Sequence, residues 1–184
     1  MPLAITLRFD PDSAASIGRL WDALAEAGID RDRQALGYSA HVTLAIYPDD
    51  TAVTMLVAAV ERVARLWTAI PITMSGFGVF PGPPAILFAA PVTTPALLDR
   101  QKVLTDALSD LSVHPHYQRN RWVPHVTLSG PLRDTGIALA ALLPLWQQVA
   151  GRLDRVDIVR FRPVEVLRSW SLDSPIRSST VAVP

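Results

Sequence analysis

The sequence predicts an α+β protein built from two similar halves, related by a pseudo-two-fold axis around a shared central cleft. Three observations lead to this prediction. The tetrapeptide His-Val-Thr-Leu at residues 41–44 returns unchanged at residues 125–128. Runs with the period-2 alternation of strands are interspersed with runs that have helical spacing. The order strand, helix, His-x-Thr strand, helix, strand occurs on both sides of the proline-rich segment 81–84.

The chain begins with a predicted strand and helix. Residues 3–9 alternate apolar and polar side chains, which is typical of a strand with one buried face. Asp10 and Ser13 are residues that cap helices, and Gly28 is a residue that ends them. We therefore predict the first helix over residues 12–27.

The remaining elements follow from the same kinds of signal. Gly76 and Gly78 lie in an extended run and indicate a bulge or a close backbone approach there. Residues 81–84, Pro-Gly-Pro-Pro, are predicted as the hinge between the halves. Pro144 lies inside a helical run, which is therefore kinked at Pro144 or begins there. The predicted order is an irregular segment over 29–39, a strand from 41 to 47, a helix from 50 or 51 that Pro71 ends, strands over 72–80 and 85–90, a helix that Pro95 begins, the strand that contains residues 125–128, a helix near 137–149, and strands over 156–161 and 164–172.

Length and composition favour one compact bilobal domain over residues 1–184. Its halves span about 1–81 and 85–173, and residues 174–184 form a C-terminal tail. Lys plus Arg and Asp plus Glu number 17 each, so the net charge predicts no long nucleic acid partner. Cysteine is absent, and no segment has the length and apolar character of a membrane span or a signal peptide. We therefore expect a cytoplasmic protein without a membrane partner, and a monomer.

The repeated tetrapeptide carries the functional signal. In a strand, side chains two residues apart point to the same face, so each copy shows His and Thr on one face and Val and Leu on the other. The chain has only four histidines, and His41 and His125 occur in identical settings. A single histidine on a strand is usually structural, but two matched copies in two similar halves indicate one shared site.

Two imidazoles and two hydroxyls are the groups needed to bind a phosphodiester and catalyse its cleavage. Imidazole has an ordinary pKa of about 6.5 and can accept or donate a proton near neutral pH. One histidine can remove a proton from the attacking water or hydroxyl while the other protonates the departing oxygen. The hydroxyls of Thr43 and Thr127 can donate to the non-bridging oxygens of the phosphoryl group. This scheme requires no metal and no cofactor.

The paired HxT motifs, with the second in the segment Trp-Val-Pro-His-Val-Thr-Leu at 122–128, resemble those of the 2H phosphoesterase superfamily. That superfamily includes the proteins called 2′-5′ RNA ligases and the cyclic nucleotide phosphodiesterases. The resemblance implies antiparallel sheets flanked by helices around a central cleft. It also implies metal-independent action on 2′,3′-cyclic phosphates, 2′-5′ linkages or cyclic ADP-ribose phosphates, with His41 and His125 catalytic and Thr43 and Thr127 binding phosphate.

Further substrate contacts are predicted from side-chain chemistry. Ser129 and Gly130 follow the second motif where many ligase-like members of the superfamily have a basic residue, so other arginines must supply positive charge. The candidates for phosphate contacts and for stacking on a base are Arg8, Arg119, Arg121, Tyr47, Tyr117, Trp122 and Ser129. The expected partner is a small nucleotide or an RNA end.

Two alternatives remain at the level of sequence. A nucleotide-binding or RNA-end-binding module could keep the fold and cleft without turnover. A histidine-based metallohydrolase has less support, because no acidic residue accompanies either motif at ligand spacing. His114 and His116 are interpreted as solvated loop histidines for a similar reason.

Overall fold

The computed structural model describes residues 1–172, and the tail predicted over 174–184 lies outside them. Five α-helices and seven strands are found in this part of the chain. In chain order they are β1 (Leu3–Phe9), α1 (Pro11–Glu26), α2 (Asp32–Leu36), β2 (His41–Tyr47), α3 (Val53–Ala64), β3 (Ile70–Phe80), β4 (Ile86–Pro91), α4 (Pro95–Ala107), β5 (Val126–Thr127), α5 (Thr135–Leu142), β6 (Val149–Arg160) and β7 (Glu165–Ser171), with short 3₁₀ turns at Pro115–Tyr117 and Leu143–Leu145.

The seven strands form one antiparallel sheet in the order β2-β1-β6-β3-β4-β5, and β7 also pairs with β6. The long strand β6 joins two groups of strands. Its first residues pair with β3, where Val149 lies opposite Met74, and its later residues pair with β7, where Arg155 lies opposite Ser171. Strand β1 lies along the other edge of β6. The predicted α+β class with antiparallel strands and flanking helices is confirmed.

Strand pairing crosses between the two sequence halves. Strand β3 belongs to the first half by sequence but pairs with β4 and β6 of the second half, and β6 pairs with β1. The prediction of a hinge at residues 81–84 is wrong, because this segment is the turn of the β3–β4 hairpin, in which Phe80 lies opposite Ile86. Prolines end the ladder there because they have no N–H to donate.

Helix boundaries agree with the predictions except at prolines and in one charged segment. Asp10 caps α1 by accepting from Ser13 N–H, and its carboxylate also accepts from Arg152 N–H on β6. Residues 29–39, predicted as irregular, contain the short helix α2. Helix α3 ends at Ala64, and Pro71 lies inside β3. The last α-helix ends at Leu142, before Pro144.

The core lies between the sheet and the helices. Inward side chains of β1 and β2 share one core with side chains of α1, α3 and α4, and the second motif places Val126 and Leu128 in the same core. Both Val-Leu pairs of the repeat are therefore buried, at 0–1% exposure. Within residues 1–172, no helix combines the length and the apolar sequence that crossing a bilayer requires.

Candidate active site

Both motifs line one cavity of about 180 Å³. His41 and Thr43 come from β2, at one end of the sheet order. His125 and Thr127 come from the other end, where His125 directly precedes β5. The sheet therefore curves enough for its two end strands to face each other across the cavity. All four side chains are partly exposed, so a ligand in the cavity can reach them.

The two imidazoles are held in the same way. Nδ1 of His41 lies 2.8 Å from the carbonyl oxygen of Ser39, and Nδ1 of His125 lies 2.8 Å from that of Val123. Because a carbonyl oxygen only accepts, each Nδ1 carries the proton and donates it. Nε2 is then the ring nitrogen that each histidine has left to offer to a ligand.

The surroundings of the two rings lower both pKa values. Burial lowers the pKa of His41 to about 4, and the Arg33 guanidinium adds to this effect while the hydrogen bond to Ser39 opposes it. Burial likewise lowers the pKa of His125. The rings of Phe80 and Phe88 lie edge-on to His125, with centroids 4.8 Å and 5.6 Å away. Both histidines are therefore neutral at neutral pH in the free protein.

Each HxT motif accepts a hydrogen bond from one tryptophan in a distant part of the chain. Trp21 on α1 donates its indole N–H to the carbonyl oxygen of Thr127 at 3.1 Å. Trp122 donates in the same way to the carbonyl oxygen of Thr43 at 3.0 Å. The Tyr117 hydroxyl forms a hydrogen bond with the Thr43 side chain. The two indole bonds fix the backbone of both threonines, and the Tyr117 bond orients the Thr43 side chain.

A buried polar network lies beside His41. The Tyr38 ring packs against the His41 ring with centroids 4.8 Å apart. The Tyr38 hydroxyl donates to the fully buried carboxylate of Asp157 at 2.8 Å and lies 2.7 Å from the Thr6 hydroxyl. The Arg8 guanidinium lies 3.1 Å from the same carboxylate. Hydrogen bonds and an opposite charge thus satisfy Asp157, and Tyr38 is held against the histidine.

Comparison with known proteins places this architecture in a family. The model of the 2′-5′ RNA ligase superfamily matches residues 9–165. The chain belongs to this superfamily. The match includes both HxT motifs, so the resemblance to 2H phosphoesterases drawn from the sequence is confirmed. No curated protein matches the chain.

Solved structures share the fold of this superfamily member at low sequence identity. TT0787 of Thermus thermophilus is 18% identical with a TM-score of 0.65, and the match covers 94% of this chain and 98% of that one. LigT of E. coli, solved with 3′-AMP, is 14% identical with a TM-score of 0.63 and coverage of 95% and 100%. Usb1 of Kluyveromyces marxianus is 12% identical with a TM-score of 0.54 and coverage of 90% and 97%.

One predicted contact of this superfamily member is on the wrong face of its strand. Simple alternation predicts Tyr47 on the face of His41, but Tyr47 is buried in the core at 1% exposure. The pairing of β1 with β2 shifts by one residue, since Ile5 lies opposite Ala45 while Thr6 lies opposite Thr43. This β-bulge reverses the alternation of side chains, and Ile46 lines the cavity instead.

Three other predicted contacts lie outside the cavity between the motifs. Arg8 pairs with Asp157, which lies beneath Tyr38. Arg119 is exposed, with its guanidinium 3.9 Å from the Asp106 carboxylate. It lines neither this cavity nor the larger one that adjoins it. Ser129 is fully buried, and its hydroxyl accepts from Leu87 N–H at 3.1 Å. Its side chain thus supports the junction of β4 with the segment after β5.

A second, larger cavity adjoins the first, and several of the predicted contact residues line it. It has a volume of about 730 Å³, and the predicted contacts Tyr117, Arg121, Trp122 and Ser129 line it together with His125 and Thr127. Tyr117 also lines the cavity between the motifs. His116 borders the larger cavity, so the prediction that it is merely a solvated loop residue is incomplete.

Sequence reasoning missed the arginines that line the cavity between the motifs. Arg33 on α2 and Arg162 in the β6–β7 turn line both cavities, and Asp32 holds them both. Neither arginine belongs to a recognisable motif. Arg33 lies in the segment interpreted as irregular, so its position depends on a short helix that the sequence does not signal. Within residues 1–172, no three His, Asp or Glu side chains are arranged to hold a metal ion.

Proposed function

We propose that this chain is a phosphodiesterase in which His41 and His125 act as general acid and base on a phosphate ester. The observation that supports this most strongly is the matched pair of imidazoles in one cavity, each with Nδ1 on a backbone carbonyl and Nε2 available to a ligand. The Thr43 and Thr127 hydroxyls line the same cavity. No other group is needed for proton transfer.

On a 2′,3′-cyclic phosphate the reaction is a hydrolysis. Nε2 of one histidine takes a proton from water as the water oxygen bonds to phosphorus. The bond from phosphorus to one ribose oxygen breaks, and the other histidine gives that oxygen its Nε2 proton. Thr43 and Thr127 donate hydrogen bonds to the non-bridging oxygens, where negative charge increases in the transition state. With a 5′-hydroxyl in place of water as the nucleophile, the same proton transfers give ligation: the 5′ oxygen bonds to phosphorus, the bond to the 3′ oxygen breaks and takes up the proton, and a 2′-5′ linkage remains.

The scheme needs one protonated histidine, and substrate binding favours that protonation. Burial keeps His41 neutral in the free protein, with a pKa of about 4. A phosphate between the rings adds a negative charge, and an opposite charge within a few ångströms favours the imidazolium form. Binding therefore raises the pKa of the adjacent histidine and prepares it to act as the acid.

A nucleotide is the substrate class that the surroundings favour. The larger cavity next to His125 offers the indole of Trp122 and the ring of Phe80 beside cationic side chains. Aromatic faces stack on bases, and cations bind phosphates. Among structures with the same fold, E. coli LigT was solved with 3′-AMP, with NADP+ and with ATP. We therefore propose a nucleotide or RNA end as the substrate, handled without a metal.

The direct test measures hydrolysis of nucleoside 2′,3′-cyclic phosphates. Replacing His41 or His125 with Ala should lower kcat roughly 100- to 10,000-fold, the usual contribution of a general acid or base. His114→Ala is the matched control, because His114 lines neither cavity. The wild-type rate should not change when EDTA is added. Equal activity in all four proteins would refute the proposal, and loss of activity in EDTA would indicate a metal-dependent reaction.

The second candidate is a binding module without turnover. It is favoured by one observation: in the free protein burial keeps both histidines neutral at neutral pH, so neither can donate a proton until a ligand raises its pKa. Calorimetry with 3′-AMP separates the two candidates. Binding without hydrolysis of any cyclic phosphate or 2′-5′ dinucleotide would support the module.

A further inference from the structure

The two cavities at the active site carry positive charge that the catalytic groups do not use. Arg33 and Arg162 line both cavities, and Arg121 lines the larger one. No Asp or Glu of residues 1–172 lines either cavity. The chain as a whole is neutral, with 17 charged residues of each sign, so this cationic lining is a local feature. A cleft lined by one sign of charge attracts ligands of the opposite sign.

Arg33 and Arg162 are held together by one carboxylate. Arg162 donates through both terminal nitrogens to Asp32, with Nη2 at 2.6 Å from Oδ2, and Arg33 donates through Nη2 to the same carboxylate. These bonds lower the pKa of Asp32 to about 2, so it stays ionised. The two guanidiniums are therefore already oriented before any ligand binds.

Donors on this pair remain unused. Arg33 Nε is buried and has no hydrogen-bond partner within the described residues 1–172. A buried donor on a charged group is costly to leave unpaired, so the Arg33 guanidinium keeps hydrogen-bonding capacity beyond its bond to Asp32. Asp30 lies near Arg162, but its carboxylate accepts from Gly130 N–H at 2.6 Å. It lines neither cavity.

The position of this pair points beyond the scissile phosphate. Five residues line both cavities, namely Arg33, Tyr117, His125, Thr127 and Arg162, so they form the boundary between the two spaces. The smaller space contains the histidine and threonine pairs. The larger, at about 730 Å³, is within the usual size range of ligand sites. A substrate held at the histidines can extend past the arginines into it.

We infer that Arg33 and Arg162 bind a second phosphate of the substrate, so that the preferred substrate is a nucleotide or oligonucleotide end that carries a phosphate besides the one at the histidines. This inference rests on the proposed function for the position of the first phosphate. The second phosphate accepts from the guanidiniums of Arg33 and Arg162, which both line the two cavities. Charge-assisted bonds of this kind are about twice as strong as neutral ones.

Affinity measurements test the inference without requiring turnover. The probes are adenosine 2′-monophosphate and adenosine 2′,5′-bisphosphate, and calorimetry gives the Kd of each. Wild type should bind the bisphosphate roughly ten- to hundred-fold more tightly, as expected for one or two charged hydrogen bonds. Arg162→Gln should remove most of this ratio. Arg162 is half exposed, at 50%, and Arg33 still pairs with Asp32, so the variant should fold, which its melting curve checks.

A matched control comes from an arginine outside the site. Arg119→Gln removes an exposed arginine that lines neither cavity, and it should leave the ratio at the wild-type value. Equal binding of both probes by wild type would overturn the inference. So would an equal loss for both probes in Arg162→Gln, because the arginine would then serve the phosphate at the histidines. Failure to hydrolyse cyclic phosphates refutes the proposed function alone, since the affinity ratio does not depend on it.

Discussion

The indole N–H of Trp122 donates to the carbonyl oxygen of Thr43 at 3.0 Å, although the two residues lie 79 positions apart. The bond connects the segment before the second motif with the strand of the first. Trp21 makes the reciprocal bond to Thr127. Each motif is thus braced by an indole from a different part of the chain, and the two braces together hold the walls of the cavity.

Removing one brace should destabilise the protein and disturb the site. Trp122→Phe keeps most of the ring but loses the hydrogen bond, so we expect a loss of about 1 kcal/mol in the free energy of unfolding. Trp21→Phe should lose a similar amount because its bond is equivalent. Urea titration measures both. Trp170→Phe, on β7 and outside both cavities, is the control for replacing an indole. Unchanged stability in both brace variants would contradict this account.

Because Gly78 has no side chain, the ring of Phe88 can lie against its backbone and next to His125. A Cβ at this position would lie 2.2 Å from Cζ of Phe88. Phe88 stacks on Phe80 at 4.3 Å and lies edge-on to His125. Gly78→Ala should therefore displace Phe88, destabilise the protein by roughly 1–3 kcal/mol as overpacking does, and lower activity through His125.

The same strand offers a control for Gly78. A Cβ on Gly76 would meet nothing within 4 Å, so Gly76→Ala should leave both stability and activity close to wild type. Urea titration and a cyclic phosphate assay compare the two variants. If both alanines lower stability and activity equally, backbone freedom in β3 matters and the contact with Phe88 does not; if neither lowers them, Phe88 does not need the space at Gly78.

Tyr38 and Tyr47 show how much of the site could be predicted. Alternation along the strand places Tyr47 beside His41, but the bulge in the β1–β2 pairing moves it to the core. A bulge arises from how two strands pair, and one strand alone does not reveal it. Tyr38 precedes the motif, and its partner Asp157 lies 119 residues later, so only the fold brings them together.

The HxT pairs themselves were predictable because each needs only local alternation, which the pleat of a strand imposes. Gly78 is an intermediate case. The sequence indicated a bulge or a close approach at Gly76 and Gly78, and the pairing shift between Met74 and Gly76 confirms the bulge. The ring that fills the space at Gly78 depends on the register with β4. Arg33 and Arg162 were missed for the same reason, since their juxtaposition is tertiary.

The Tyr38 hydroxyl should contribute more to stability than the Tyr47 hydroxyl. Tyr38→Phe leaves the buried carboxylate of Asp157 without one donor, and hydrogen bonds to charged groups contribute about 1.5–3 kcal/mol. Burial alone raises the pKa of Tyr47, to about 12. Tyr47→Phe should therefore change the free energy of unfolding by less than about 0.5 kcal/mol. Equal effects of the two substitutions in urea titrations would show that the network does not stabilise the fold.

Stability should fall as pH decreases from 6.5 towards 4. Burial lowers the pKa of His41 from 6.5 to about 4 in the folded protein. Between these values the unfolded chain binds a proton at His41 and the folded chain does not, so lowering the pH favours unfolding. His41→Gln should show a shallower dependence in urea titrations across this range. A slope equal to that of wild type would contradict the proposed burial of the imidazole.

The pH–rate profile should be bell-shaped with its maximum below pH 6.5. The profile of kcat/KM reports the free enzyme, in which one histidine must be neutral and the other protonated. Burial lowers both pKa values from 6.5, that of His41 to about 4. The rate should therefore decline on the alkaline side earlier than for exposed histidines. Initial rates on a cyclic phosphate across the pH range measure this, and a maximum above pH 7.5 would contradict the assignment of both histidines.

Strand β6 restricts how the active site can open. It pairs with β1 in one group of strands and with β3 in the other, so both motifs are attached to one continuous backbone ladder. Separating the two walls as rigid bodies would require bending or breaking this ladder. Entry and release of substrate must therefore depend on small side-chain and loop movements around a gap of nearly constant width. If the substrate carries two phosphates, as inferred above, such a site selects it by the distance between them.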